Sequence, residues 1–255
     1  MRSLFQSRPL ETVPMVEPVR TEFPKIDGAE MAAVFYGKRV AGDFYDALRV
    51  SPERILFGLL DVAGRREDNR GILSAAQKTF RDLGTSLFAK PDSNESEAMT
   101  ELCILLNRGI LEAAGDVRSC PAFLGCYHEQ LGTLCYTNAG HTPGLVRDNS
   151  GISELAPTGL PLGLFSHATS DAPTIGLAKG AVLLLVSRGM VEGKSNGGKT
   201  EHLEFGLDRV KESLQNNHSR HAEEICAAVL KDVCEFTAAP PVHDDVTALA
   251  FVRAV

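Results

Sequence analysis

Apolar and polar positions alternate along most of the chain in two rhythms. "EMAAVFYG" and "DFYDALRV" carry the short-period pattern of strands, and "RILFGLLDV" (54–62) is an almost wholly apolar strand that ends at Asp61. Two helical stripes follow: Ile72, Ala76, Phe80, Leu83 and Leu87, then, after the polar loop "KPDSNES", Met99, Leu102, Leu106, Ile110 and Ala113. "AFLGCYHE", "LGTLCYTN" and "GLVRD" read as short strands separated by turns, and the loop "APTGLPLG" leads to another strand over 181–187. The pattern predicts a helix over 206–216, a clearer one over 221–236 with Ala222, Ile225, Val229, Val233 and Phe236 on one face, and a last strand, "VTALAFV". Strands come mostly as adjacent pairs, not alternating with helices. That order predicts antiparallel sheets with helices packed outside them, an α+β fold.

Residues 1–25, with four prolines, read as a tail or linker, and 26–255 as one globular domain. At 255 residues and 44% hydrophobic, the chain can build a large core. The net charge of -7 argues against a general nucleic-acid binder. The opening residues lack the apolar stretch of a signal peptide, and no run approaches the ~20 residues needed to cross a bilayer, so no membrane role is expected. The six cysteines form no CxxC pair and sit mostly in apolar segments, which favours free buried thiols and a reducing, cytoplasmic location.

Aspartates carry the candidate chemistry. Asp43 and Asp46 flank Phe44-Tyr45 after Gly42, Asp61 closes a buried strand, and Asp244 and Asp245 precede the last strand. Carboxylates at strand ends are how a sheet presents oxygen to Mg²⁺ or Mn²⁺. The competing reading is that aspartate is common at turns, where its side chain caps the local backbone.

"AGDFYDALRV", "LLDVAG", "NAGHTPGLV", "TGLPLGL", "LLLVSRGMVEG", "FGLDRV" and "DDVTALAFV" stand in the order found in metal-dependent PPM-type protein phosphatases. Over residues 26–255 the chain resembles their bacterial SpoIIE/RsbU branch. The resemblance implies an αββα sandwich of two antiparallel sheets flanked by helices. It implies a site of two manganese or magnesium ions between the sheets, where a metal-activated water hydrolyses phosphoserine or phosphothreonine on a partner protein. That partner would be a small phosphorylated anti-sigma-factor antagonist; a homodimer is left open. By the same resemblance Asp43 and Asp61 are the catalytic residues. Asp43 binds one metal, Asp61 bridges both with the Val62 carbonyl beside it, and Asp244 binds the other. Asp46, Gly64, Gly189 and Asp245 are expected around this set.

Two departures weaken the expectation of activity. Where the family places aspartate in a "TDG" triplet, this chain has "SRG", so Arg188 replaces a ligand. A permanent cation there repels a metal ion. Asp61 is followed by "VAGRREDNR" and not by the usual second glycine, although that charged run also reads as a solvated helix start. Arg188 is expected to pair with Asp61 and Asp244 as a built-in counter-ion, or alternatively to bind substrate phosphate. The chain is therefore read as a phosphatase domain of weak or absent activity, or as a pseudophosphatase that binds a phosphoprotein or a regulator. A distant third reading is nucleotide binding by "GKSNGGKT" (193–200) through Lys199 and Thr200. His141 is expected to be structural, and His243 to be an exposed turn residue.

Overall fold

A computed structural model describes residues 21–36, 42–62, 66–115, 118–167, 169–195, 203–237 and 245–255. The elements in chain order are β1 (Ala29–Tyr36), β2 (Gly42–Ser51), β3 (Arg54–Val62), α1 (Arg66–Phe88), α2 (Glu95–Ala114), β4 (Ala122–His128), β5 (Thr133–Ala139), β6 (Gly144–Asp148), β7 (Gly151–Leu155), β8 (Thr174–Gly176), β9 (Val182–Val186), α3 (Arg188–Val191), α4 (Gly206–Asn216), α5 (Ala222–Thr237) and β10 (Val246–Arg253). They form two five-stranded antiparallel sheets, ordered β1-β10-β9-β6-β7 and β2-β3-β4-β5-β8. The expected αββα sandwich is what the chain builds.

The layers follow from side-chain parity. Along β3, Leu56 and Leu60 face α1 and α2, whereas Ile55, Phe57 and Leu59 face the second sheet. Along β10, Leu249 and Phe251 face the gap, and Ala248, Ala250 and Val252 lie under α4 and α5. Every residue of β3 is buried because helices cover one face and a sheet the other, which explains its unbroken apolar run. Three elements carry too few apolar positions to be legible: the edge strands β7 and β8, and the four-residue α3 that begins at Arg188.

Near the chain's start, Phe23 stacks on Tyr45 at 5.9 Å and Thr21 Oγ1 donates to the Tyr45 carbonyl at 2.8 Å. All six cysteines are free thiols.

Candidate functional site

Antiparallel pairing of β2 with β3 places Asp43 directly opposite Asp61 and Gly42 opposite Val62. Asp43 and Asp61 share the parity of Ala47 and Leu59, so both point into the gap between the sheets, at its end. Gly42 allows this close approach, since a Cβ there would lie 2.4 Å from the Val62 carbonyl oxygen.

From the other sheet, β9 ends at Val186, Ser187 follows it, and β10 begins beside them. Thr247 Oγ1 donates to Asp43 Oδ2 at 2.7 Å, the Thr247 amide donates to Ser187 Oγ at 3.1 Å, and Ser187 Oγ donates to the Asp245 carbonyl at 3.3 Å. Burial pushes the Asp43 carboxyl well above the usual range, and the Asp61 charge adds to this. Hydroxyl hydrogen bonds from Thr247 and Ser187 pull the other way. Asp61 is also raised, with burial outweighing the opposing effect of Arg188.

Arg188 stands in the first turn of α3. Its Nε lies 3.7 Å from Asp61 Oδ2 and 3.9 Å from Glu192 Oε2, and its backbone amide donates to the Asp61 carboxylate. At 3.7 Å the guanidinium contact is an ion pair without hydrogen-bond geometry. The side chain stays 44% exposed, so solvent weakens it.

The other expected residues are spread more widely. The Val62 carbonyl accepts a hydrogen bond from the buried Asn69 amide of α1 at 3.4 Å. Asp46, three positions from Asp43, points to the opposite face of β2. There it accepts from Arg81 Nε at 2.6 Å and Nη2 at 2.9 Å, from Gln77 at 3.2 Å and from Thr21 at 2.9 Å. Its contacts tie α1 to the sheet. Gly189 is buried in α3, and Asp245 is buried just before β10. Gly64, Asp244, His243, Lys199 and Thr200 lie outside the described residues.

His141 is buried. Its backbone amide donates to Asn138 Oδ1 at 2.8 Å, and Nδ1 lies 3.1 Å from the Thr142 carbonyl. Burial lowers its pKa to about 4, so the ring is neutral near pH 7. Ser187, Thr247 and Asn69 were not singled out by their sequence motifs. Strand parity is the signal that finds the first two, because each lies an even number of positions from an inward leucine.

The matching family model is that of stage II sporulation protein E (SpoIIE), over residues 51–253. The chain belongs to the SpoIIE family. Among solved structures, SpoIIE-type and related PP2C domains share the fold. The RsbU and RsbW domains of a Mycobacterium tuberculosis protein align with a TM-score of 0.73 at 21% identity, covering 89% of this chain and 60% of that one. The chain thus spans less than two thirds of that relative. The SiaA PP2C domain of Pseudomonas aeruginosa aligns with a TM-score of 0.69 at 18% identity, covering 87% of this chain and 84% of that one. RsbX, solved in complex with magnesium, aligns with a TM-score of 0.62 at 12% identity, covering 91% of this chain and 99% of that one. No curated protein matches the chain by sequence.

The donors fit a SpoIIE-type metal pair only in part. Asp43 and Asp61 offer two facing carboxylates, whose mutual repulsion a shared cation relieves. Among the described residues, no three His, Cys, Asp or Glu side chains gather as a metal site. Among the described residues, the side chain at position 188 beside Asp61 is a cation and not a further carboxylate.

Proposed function

We propose that this SpoIIE-family domain recognises a phosphoserine- or phosphothreonine-bearing protein and hydrolyses its phosphate ester weakly or not at all. The observation that carries this reading is Arg188 beside Asp61, its Nε 3.7 Å from the carboxylate. Two unit charges 4 Å apart interact by about 4 kcal/mol at an effective dielectric of 20. Exposure of the guanidinium reduces that figure, yet the sign is fixed: the interaction favours Arg188 near Asp61 and disfavours a divalent cation in the same place.

Asp43, Asp61, the Val62 carbonyl and Asp244 would hold what manganese or magnesium the site retains. A metal ion in such a site supplies an activated water and neutralises phosphate charge. The chain's own groups have separable roles. Thr247 and Ser187 fix the Asp43 carboxylate across the gap, and Asn69 holds the Val62 carbonyl. Arg188 neutralises Asp61 when no cation does. Relatives that include joined RsbU and RsbW domains and a stressosome component support a partner from a partner-switching pathway, such as a phosphorylated anti-sigma-factor antagonist. Among the described residues, no helix is long and apolar enough to cross a membrane, and a cytoplasmic setting suits the free buried thiols.

The decisive measurement is phosphopeptide hydrolysis with excess Mn²⁺. The natural chain is expected to turn over slowly or not at all, and Arg188→Asp to gain at least about tenfold, since tenfold corresponds to only 1.36 kcal/mol. Strong Mn²⁺-stimulated turnover by the natural chain, abolished by Asp61→Ala, would establish a working enzyme and refute the reading.

A further inference from the structure

At the end of the sandwich away from Asp43 and Asp61, three connections surround a cleft of about 360 Å³. Asp148 and Asn149 come from the β6–β7 turn, Gly180 from the approach to β9, and Gln215, His218, Ser219 and Arg220 from the end of α4 and its link to α5. Gly180 precedes β9 and Arg188 follows it, so the two ends are separated by roughly 25 Å at a strand rise of ~3.3 Å per residue. The cleft is therefore not a lobe of the carboxylate site.

Its inner wall is Arg147. Nη1 donates to the carbonyls of Leu214, at 2.5 Å, and Asn217, and Nη2 reaches the Ser219 carbonyl at 3.4 Å. These acceptors satisfy donors without cancelling the positive charge. Burial lowers the Arg147 pKa, the direction expected when no carboxylate offsets desolvation. Arg220 and His218 bring further positive or protonatable groups to the rim. Two nearby acids keep their charge, because only neutral serine donors hold them. Asp148 accepts from the Ser150 amide at 2.7 Å and hydroxyl at 2.6 Å, and Glu224 accepts from the Ser219 hydroxyl at 2.6 Å. Glu30 takes the Ala222 amide and lies 3.5 Å from His221. Two lining arginines against one lining carboxylate, Asp148, leave the cleft a local surplus of positive charge on a chain of net charge -7.

We propose that this cleft binds a phosphate dianion, free or as the monoester of a small molecule, with Arg147 as its floor and Arg220 and His218 as its clamp. The volume suffices for a phosphate and a modest organic group. The exposed Arg220 guanidinium suits the ligand because its forked donors match tetrahedral oxyanions, whereas Arg147, its Nη donors taken by carbonyls, contributes charge.

The test is an amide NMR titration of the ¹⁵N-labelled full chain with inorganic phosphate, at constant ionic strength set by chloride. Saturable shifts are expected at Asn149, Gly180, Ser219 and Arg220. Arg220→Glu should weaken binding by about tenfold or more, the loss of one charge-assisted contact. His218→Gln should weaken it less, and Arg188→Ala should leave it unchanged. Both Arg220 and His218 are exposed, so their variants keep the fold; Arg147 is left intact because it caps α4. Absence of saturation, equal shifts with chloride, shifts confined to the Asp43 and Asp61 end, or undiminished binding by Arg220→Glu would overturn the proposal.

Discussion

Single residues in this molecule are governed by how burial and charge are balanced. Asp43, Asp61 and Asp46 lie within or beside the same pair of strands but meet different partners. Asp46 receives a two-point guanidinium contact, Asp43 receives hydroxyls, and Asp61 has Arg188 at ion-pair distance. His141 is the clearest test of burial alone, because desolvation is the leading cause of its shift. Its folded pKa of about 4 lies below the ordinary histidine value of 6.5, so the unfolded chain binds more protons between those pH values. The stability it contributes is present above pH 6.5 and is lost as pH falls towards 4. The loss amounts to about 3 kcal/mol at 1.36 kcal/mol per unit. Urea unfolding at pH 7 and pH 4.5 should show this fall in the natural chain and a shallower one in His141→Gln. Identical pH dependence in the two proteins would show that His141 does not titrate as burial demands.

At the scale of elements, local signals and tertiary placement agree best in α2. Asn94 caps it, accepting from the amides of Ser96 at 3.1 Å and Glu97 at 3.3 Å. Gly115 closes it with φ 70°. Its stripe of Met99, Leu102, Leu106 and Ile110 is fully buried over the sheet that carries Asp61. Asn94→Ala should cost about 1 kcal/mol and lower Tm in a thermal melt, with Asn94→Asp restoring it. An unchanged Tm in Asn94→Ala would show that tertiary packing alone holds the helix start. The same agreement explains what the sequence made legible. Long periodic stripes foretold α1, α2 and α5, and adjacent strand runs foretold two antiparallel sheets. β7 and β8 escaped notice because edge strands need few apolar side chains, and α3 because one turn carries no period. Within the site, strand-end position brought out Asp43 and Asp61, but it also drew in Asp46. A separation of three along a strand puts Asp43 and Asp46 on opposite faces, a rule of pleat geometry that proximity in sequence conceals. Ser187, just past β9, and Thr247 of β10 meet Asp43 only when the sheets stack, a long-range fact that no short motif contains.

For the whole molecule, the gap between the sheets is both core and site wall. Phe251 of β10 lies 6.0 Å from Phe57 and 4.6 Å from Tyr127, both in the opposite sheet. Four residues along the same strand, on the same face, Thr247 bonds Asp43. One strand therefore sets sheet spacing through its aromatic and site geometry through its hydroxyl. Phe251→Ala removes the ring that touches both partners and leaves a cavity between layers too rigid to collapse. It should cost about 3–5 kcal/mol. Because neither sheet can bury its inner face alone, unfolding should remain one transition, with far-UV circular dichroism and tyrosine fluorescence coinciding in urea. Phe251→Leu, which keeps most of the volume, should recover a large part of the loss. Two separated transitions in Phe251→Ala would mean that each sheet with its helices is stable by itself. The facing of Asp43 against Thr247 would then be a docking event, not a property of the folded core.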